Sequence, residues 1–145
     1  MWLVERVADM PKDISIVVDE SLGEGYLHMQ RLLTDFQSGK NTFSAKGEAL
    51  FMVRWHEETL GLCGLNQDPY HSQPEWGRIR RMYVRPAARR QGVGSALLQQ
   101  VLAQSQPYFL VLSLYTTNDQ AQAFYRRFGF VDLFNDPKSN MFLEL

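Results

Sequence analysis

The chain has 145 residues, 15 Lys+Arg against 16 Asp+Glu, a hydrophobic fraction of 45% and one cysteine. These values exclude a disordered tail and a fibrous protein, and they predict a single domain over residues 1–145. At this length folding buries roughly two thirds of the surface of the unfolded chain, which supplies a core without disulfides or a structural metal.

The cysteine content and the N-terminal segment bear on the compartment. Cys63 has no partner within the chain, and a lone thiol is typical of a reducing environment. The first residues have neither the basic region nor the apolar region of a secretory leader. The longest nearly apolar run, residues 108–115, is far shorter than the roughly 20 residues of a membrane span. We therefore expect a soluble cytoplasmic protein that makes no membrane contact.

The net charge of −1 conceals an uneven distribution of arginine. Residues 78–90, the arginine cluster, contain six arginines and no acidic residue, so the rest of the chain carries about −7. Such a cluster is either a solvated surface or the binding site of one polyanionic ligand.

Hydrophobic periodicity predicts the first elements. Residues 2–7 have the pattern of a strand, and residues 14–18 are ambiguous between strand and helix, with the spacing of their apolar side chains favouring a helix. The sequence Ser21-Leu-Gly-Glu24 has the form of a capping box. It predicts a helix that starts at Ser21 and stops at Gly39.

The later elements follow from the same patterns. They are a hairpin over 49–55 and 60–65, a strand over 79–84, a helix over about 92–104, a buried strand over 108–114, a helix over 118–127, and strands over 130–133 and 141–145. Because strands alternate with helices only in the second half, we predict an α/β or α+β fold with a mixed central sheet.

The strand over 79–84 contains a change of phase. Met82 and Val84 alternate in phase, whereas Ile79 is out of step with them. A β-bulge adds one residue to a strand and shifts its alternation, so we predict a bulge between Ile79 and Met82.

The most informative segment joins this strand to the next helix. A helix start offers unpaired N–H donors and a partial positive charge, and Gly92 and Gly94 leave the backbone open to an anion. Arg89 and Arg90 add full positive charges beside it. The segment therefore predicts a phosphate site, and a plain strand-to-helix turn stays as the alternative.

Two common phosphate motifs do not fit these glycines. A dinucleotide fingerprint needs a third glycine where Leu97 stands, and a nucleotide P-loop needs a Lys-Ser/Thr pair that Gly94-Ser95-Ala96 does not provide. The phosphate therefore belongs to another kind of ligand.

Two segments together resemble the GNAT N-acetyltransferase superfamily. The first is similar to its acyl-CoA signature and follows a Tyr-Val-x-Pro strand, and the second is similar to the segment after its cofactor-binding strand. The matching residues are Arg89, Gly92 and Gly94 in the first segment and Asn118, Ala121, Tyr125, Gly129 and Phe130 in the second.

The resemblance implies a mixed, mostly antiparallel sheet flanked by helices on both faces. It also implies an N-acetyltransferase that moves an acetyl group from acetyl-CoA to a primary amine of a small molecule or peptide by direct attack. Tyr125 would face the sulfur as a catalytic residue. The implied cofactor-binding residues are Met82, Tyr83 and Val84 along the pantetheine arm, Gln91, Gly92, Val93, Gly94 and Ser95 at the pyrophosphate, Arg89 and Arg90 beside it, and Asn118 on the arm.

The general base departs from the common pattern of the superfamily, since arginines 78, 80 and 81 stand where many relatives have a glutamate. Glu75, Asp68 and His71 precede that strand, and each is a candidate to deprotonate the amine directly or through water. We take Glu75 as the predicted base. The histidines and Cys63 have no metal-ligand spacing, so we predict no metal site.

The acceptor is less defined by the sequence. Tyr70, His71, Trp76 and the residues of the helix over 21–36 are predicted to border its pocket, which suggests a small molecule or a side-chain amine. Two other functions stay open: an acyl-CoA-binding sensor without turnover, and a nucleic-acid binder that uses the arginine cluster. The pI of about 6.3 argues against the nucleic-acid binder. A homodimer also stays open.

Overall fold

A computed structural model describes residues 2–145. Its elements are β1 (Val4–Arg6), α1 (Ile14–Gly23), α2 (His28–Ser38), β2 (Ala49–Trp55), β3 (Glu58–Gln67), β4 (Trp76–Val84), α3 (Val93–Ser105), β5 (Val111–Leu114), α4 (Asp119–Arg127), β6 (Val131–Asp132) and β7 (Met141–Glu144). A short 3₁₀ turn, Pro86–Ala88, lies between β4 and α3.

The strands form one sheet in the order β1-β2-β3-β4-β5-β7-β6. Every neighbouring pair is antiparallel except β4 and β5, which run parallel. A parallel pair needs a crossover connection, and α3 supplies it. The predicted mixed, mostly antiparallel sheet is confirmed.

Helices cover the sheet on both faces. Ala49, Phe51 and Val53 of β2 lie in a core with apolar side chains of α3 and α4. Leu50 and Met52, which alternate with them, lie in a second core with side chains of α1 and α2. Since successive strand residues point to opposite faces, the two cores lie on opposite sides of the sheet, as predicted.

The predicted helix from Ser21 to Gly39 is wrong, because two helices occupy this segment. Ser21 is buried in the last turn of α1, where its hydroxyl donates to the Tyr26 carbonyl (3.2 Å) instead of capping a new helix. The apolar residues from Ile14 onward start α1, so the helix favoured over 14–18 is confirmed. The left-handed stop at Gly39 is also confirmed, with φ at +81°.

The predicted strand over 108–114 starts too early. The backbone amides of Tyr108 and Phe109 donate to the Ser105 carbonyl (3.0 and 2.9 Å), which closes a turn after α3. The strand β5 therefore begins only at Val111. The predicted hairpin is confirmed, with β2 and β3 joined by a tight turn in which His56 has φ at +55°.

The predicted bulge in β4 is confirmed. Leu62 of β3 pairs with Tyr83 and Gly64 pairs with Arg80, so one β3 residue lies opposite two residues of β4. Arg81, one of these two, has φ at +61°. The extra residue shifts the alternation of β4, which is why Met82 lies on the same face as Ile79.

Candidate active site

The sheet opens between β4 and β5. The two strands pair only from Trp76↔Val111 to Arg78↔Ser113, although β4 continues to Val84. Within the described structure, residues 79–84 therefore have no neighbouring strand on this side, and their outward backbone groups are free to pair with an extended ligand. We call this space the β4–β5 opening; it contains Met82, Tyr83 and Val84.

The helix α3 begins at the end of this opening. Gly92 precedes it with φ at +83°, a left-handed conformation that glycine adopts without strain, and no side chain of residues 2–145 caps the helix. The first amides of α3 therefore lack side-chain acceptors, and the N-terminus carries the positive end of the helix dipole. This arrangement fits a diphosphate.

Gly94 faces the space between β4 and α4. A Cβ atom built on Gly94 would lie 3.6 Å from the Phe124 ring and 3.7 Å from a Val84 methyl group, which are ordinary van der Waals distances. The protein itself therefore has room for alanine here.

Most of the arginine cluster is paired with carboxylates. Arg85 binds Glu20 through two nitrogens (2.9 and 2.8 Å), and Arg89 binds Glu24 in the same way (2.7 and 2.6 Å). These bonds lower the pKa of both carboxyls and raise the pKa of both arginines. Arg89, predicted to bind the cofactor, is thus tied to the end of α1.

The other arginines near the α3 N-terminus differ in their partners. Arg90 is exposed, with φ at +63°, and forms no salt bridge with any residue in the described part of the chain. Arg90 is therefore the arginine here with its charge available to a phosphate. The Gln91 carbonyl accepts a hydrogen bond from the Trp2 indole (2.6 Å), which holds the loop before α3.

Tyr83 lies in the opening but points its ring toward α1 and α2. The side chain is buried in the second core, and its hydroxyl donates to Glu24 (2.5 Å). Burial and this bond raise the pKa of Tyr83 above its ordinary value. Its side chain therefore supports the wall of the opening, while its backbone stays on the strand edge.

Tyr125 lies on the opposite side of the sheet, in the core between α4 and the strands. It is 5% exposed and packs edge-on against Phe124 and Phe130. Burial raises the pKa of Tyr125, and the Cys63 thiol raises it further. Cys63 belongs to β3 and lies opposite the bulge in β4. The Tyr125 hydroxyl and the Cys63 thiol therefore lie beside the β4–β5 opening. Burial also raises the pKa of Cys63 to about 12, so this thiol is not a nucleophile at neutral pH.

Asn118 links α4 to the opposite wall of the opening. Its side-chain oxygen caps α4 by accepting from the Ala121 amide (2.9 Å), and its side-chain nitrogen donates to the Tyr26 hydroxyl (3.3 Å). Tyr26 belongs to the connection between α1 and α2. The two elements thus meet across the β4–β5 opening.

The three candidate bases differ in position. Glu75 is exposed before the first residue of β4, at the end of the β4–β5 ladder away from the opening, in a surface cavity with Pro74 and Tyr108. Asp68 is fully buried and accepts from Ser113 (2.5 Å) and from His71 Nδ1 (2.6 Å). The structure does not bring Glu75 to the opening.

His71 and Asp68 belong to a network that joins loops. His71 Nε2 lies 3.0 Å from Asp136 Oδ2, and the His71 ring stacks on Trp76 at 4.0 Å. Hydrogen bonding, from the Lys138 amide first and from His71 next, lowers the pKa of Asp136. Buried Arg78 lies beside Asp68 (3.9 Å) and donates to Ser139 and to the Lys138 carbonyl. These contacts hold the β3–β4 connection to the β6–β7 loop at the closed end of the opening.

The sequence patterns missed His28, the first residue of α2. Its ring packs edge-on between the rings of Tyr26 and Tyr83, and its Nε2 atom is buried without a hydrogen-bond partner among residues 2–145. Burial lowers the pKa of His28, and the charge of Arg81 lowers it further. A hydrogen bond with the Met82 backbone raises this pKa, but by less. His28 packs against Tyr83, in the wall of the β4–β5 opening, only because the chain breaks between α1 and α2. The helix predicted from Ser21 to Gly39 is continuous, so it does not show this position.

Two kinds of feature are absent from the part of the chain that the structure describes. None of its helices combines the length and the apolar character needed to cross a membrane. No three or more His, Cys, Asp and Glu side chains are grouped closely enough to hold a metal ion.

Comparison with known families identifies the class of this fold and site. A sequence model of the acetyltransferase (GNAT) domain matches residues 46–132, which include the bulged strand, the α3 N-terminus and α4. The protein is an acyltransferase, and the chain belongs to the GNAT family. A search of curated proteins gives no match.

Solved structures agree with this membership. A proposed acetyltransferase from Exiguobacterium sp. 255-15 has a TM-score of 0.87 and 28% sequence identity, and the match covers 99% of this chain and 93% of that protein. The ribosomal-protein-alanine N-acetyltransferase of Brucella melitensis has a TM-score of 0.71 and 15% identity, covering 99% of both chains. Rv2747 of Mycobacterium tuberculosis, solved in complex with CoA and NLQ, has a TM-score of 0.69 and 15% identity, covering 99% of both.

Proposed function

We propose that the protein transfers an acetyl group from acetyl-CoA to a primary amine of a small molecule or peptide by direct attack. The observation that carries this proposal is the β4–β5 opening with the uncapped start of α3 at its end. A free strand edge and a free helix N-terminus in this order suit a ligand with an amide-containing arm and a diphosphate.

The proposed binding roles follow from these free groups. The backbone of Met82, Tyr83 and Val84 pairs with the pantetheine arm, and Asn118 contacts the arm from α4. Amides of residues 91–95, from Gln91 through Gly92, Val93 and Gly94 to Ser95, hold the diphosphate. Arg90 supplies a free positive charge there, and Arg89 does so only when it exchanges its bonds to Glu24.

Direct attack requires a neutral amine. An amine with a pKa near 10 is almost fully protonated at neutral pH, so a base must remove a proton before the new C–N bond forms. We propose His28 for this step in place of Glu75. Its lowered pKa keeps the ring neutral near pH 7, and its Nε2 atom has no partner among the described residues.

The remaining charges also need partners. As the amine attacks, negative charge develops on the thioester oxygen, and the free backbone amides beside the bulge are suited to donate to it. As the C–S bond breaks, the departing thiolate accepts a hydrogen bond from Tyr125, and the second proton that the nitrogen loses on forming the amide reaches the sulfur through solvent, which gives free CoA. Because burial raises the pKa of Tyr125, a hydrogen bond is favoured over complete transfer of its proton.

A thiol-release assay tests the proposal. Purified protein with acetyl-CoA is mixed with polyamines, amino acids, aminoglycosides and peptides, and free CoA is measured with a thiol reagent. We expect at least one amine to raise thiol release above the rate with water alone. Binding of acetyl-CoA with no thiol release from any amine would instead indicate an acyl-CoA sensor.

The pairing of the arginine cluster argues against nucleic-acid binding. Arginines 78, 81, 85 and 89 each face a carboxylate within the described residues, which leaves Arg80 and Arg90 without one. Two separate free charges give little attraction to a polyanionic backbone. The cytoplasmic location suggested by the lone Cys63, and a homodimer, stay predictions.

A further inference from the structure

A second cavity lies on the face of the sheet that α2 covers. Its volume is about 620 Å³, and it is lined by side chains of α2, of the loop before β2 and of β4. Arg80 and Arg81, which belong to the part of β4 that continues past its pairing with β5, are among the lining residues. We call it the arginine-lined cavity. Tyr70, His71 and Trp76, which the sequence predicted to border the acceptor pocket, are not among its lining residues.

The bulge is the reason that two consecutive arginines line one cavity. In a regular strand neighbouring side chains point to opposite faces. The left-handed conformation of Arg81 breaks this alternation, so Arg80 and Arg81 lie on the same face. The next residue, Met82, returns to the other face, at the position where the backbone is proposed to hold the acyl arm.

The charges in the cavity do not balance. Four cations, Arg31, Lys40, Arg80 and Arg81, face two carboxylates, Asp35 and Glu48. Asp35 lies 3.9 Å from Arg81. Arg31 and Arg80 form no salt bridge within residues 2–145.

The Glu48 carboxylate accepts hydrogen bonds from uncharged amide groups. One of its oxygens accepts from the Ala45 amide (3.1 Å), and the other accepts from Asn66 Nδ2 (3.0 Å) and from the Gln67 amide (2.9 Å). It therefore holds the loop before β2 to the end of β3. Its charge is not directed at Arg80.

The excess positive charge is partly withdrawn from water. Arg80 and Arg81 are half-buried, and burial lowers the pKa of Arg81, which the charge of Arg80 lowers further. Bringing like charges together out of water costs free energy unless an anion compensates them. A cavity next to the proposed acyl site with this imbalance has the chemistry to bind an anionic group of the acceptor.

We infer that the acceptor is an amine that also carries a carboxylate, as in an amino acid or a short peptide, and that Arg80 and Arg31 bind this carboxylate. The inference rests on the proposed function. Guanidinium groups bind carboxylates and phosphates in the same forked geometry. Arg80 and Arg81 are half-buried, and withdrawing a phosphate dianion from water costs more than withdrawing a singly charged carboxylate, because the desolvation cost grows with the square of the charge; the carboxylate is therefore favoured.

The experiment compares acceptors that differ only in this group. L-amino acids and dipeptides are assayed against their C-terminal amides, with phosphoethanolamine as the phosphate-bearing amine, by thiol release from acetyl-CoA. We expect kcat/KM for the carboxylates to exceed that for the amides at least about ten-fold, because a charge-assisted hydrogen bond is lost with the amide. We expect Arg80→Gln to abolish this preference through KM and Arg80→Lys to retain part of it.

Two controls accompany these variants. Arg54→Gln removes an exposed arginine that pairs with Glu5 at the other edge of the sheet, and it should leave the preference unchanged. The affinity of Arg80→Gln for CoA should match that of the unaltered protein, and its thermal unfolding temperature should be equal or higher, since Arg80 has no salt bridge to lose among the described residues and its charge repels Arg81.

The outcomes separate this inference from the proposed function. Equal rates for acids and amides, with thiol release intact, overturn the carboxylate site and leave the acetyltransferase standing. A preference for phosphoethanolamine also overturns it, in favour of a phosphate. If CoA does not bind and no amine releases thiol, the proposed function fails and the inference fails with it.

Discussion

Burial changes the acid–base chemistry of two side chains beside the β4–β5 opening. Tyr125 is held as a neutral phenol in the core under α4, and His28 is held as a neutral imidazole between two tyrosine rings. One is a hydrogen-bond donor and the other has an unpaired nitrogen in the described structure. The two side chains lie on opposite faces of the sheet, so they suit different steps of one reaction.

Replacing Tyr125 with phenylalanine tests its proposed role. The change removes one hydroxyl and keeps the packing against Phe124 and Phe130. We expect kcat to fall about 100-fold, as for loss of a positioned hydrogen-bond donor to developing negative charge, with the affinity for CoA nearly unchanged. Steady-state thiol release and calorimetry measure the two quantities. Tyr108→Phe, at an exposed tyrosine, is the control, and an unchanged kcat in Tyr125→Phe would remove this residue from the mechanism.

The lowered pKa of His28 predicts a pH dependence of stability. In the unfolded chain histidine titrates near 6.5, and in the folded protein His28 titrates lower. Between these values the unfolded state binds more protons, so the free energy of unfolding falls as the pH drops below 6.5. The ion-paired carboxyls Glu20 and Glu24, with lowered pKa values, add their losses only below about 4.5.

Urea unfolding at pH 7 and pH 5 measures this effect. We expect His28→Gln to lose less stability than the unaltered protein over this interval, because glutamine does not titrate. His56→Gln, at an exposed turn histidine, is the matched control and should behave like the unaltered protein. The same pH slope in His28→Gln and the unaltered protein would show that His28 is not held neutral.

Among the structural elements, the start of α3 and the hydrogen-bond network around Arg78 and Asp68 have different roles. The first is a helix terminus that no described residue caps with its side chain, which costs stability unless another group satisfies its amides. The second is a dense set of hydrogen bonds around buried Arg78 and Asp68 that holds the loops at the closed end of the opening. We expect substitutions in the first to affect binding and substitutions in the second to affect stability.

Gly94→Ala tests the α3 terminus. The new methyl group fits between Val84 and Phe124 at ordinary contact distances, and alanine favours a helix, so the fold should be as stable as before. The same methyl group narrows the path of the ligand arm, and we expect the affinity for CoA to fall about ten-fold, or about 1.4 kcal/mol. Calorimetry measures it, with Gly23→Ala in α1 as the control. Unchanged affinity in Gly94→Ala would argue that the arm runs elsewhere.

Asp68→Ala tests the network. It leaves the buried guanidinium of Arg78 without its carboxylate, and removing one partner of a buried pair typically costs about 3 kcal/mol. Asp132→Ala breaks the exposed pair with Arg126 and should cost less than about 1 kcal/mol. Urea unfolding compares the two variants, and similar losses in both would contradict the view that Asp68 is a structural anchor.

Across the whole molecule, the sequence predicted the sheet, the bulge and the two segments that mark the family. These features follow from short-range patterns in the sequence. The change of phase around Met82 indicates the bulge, and Gly92 and Gly94 indicate the start of the helix. The family match over residues 46–132 covers these segments.

The remaining features of the site depend on contacts between residues that are far apart in the sequence, which short-range patterns do not show. Whether Glu24 caps a helix or binds Arg89 depends on a contact 65 residues away. The packing of loops against the sheet likewise decides which side chains are available. It leaves Glu75 exposed, fills the hydrogen-bonding positions of Asp68 and buries a nitrogen of His28. Charge counts along the sequence cannot show which arginines are neutralised by such contacts.

Every role proposed above requires that the β4–β5 opening and the α3 N-terminus together hold acyl-CoA. A crystal structure of the protein with CoA is the decisive test. We expect the diphosphate to accept hydrogen bonds from amides of residues 91–95 and the pantetheine arm to pair with the backbone of Met82–Val84. CoA bound away from both segments, or an opening that contains no ligand in crystals soaked to saturation, would contradict it.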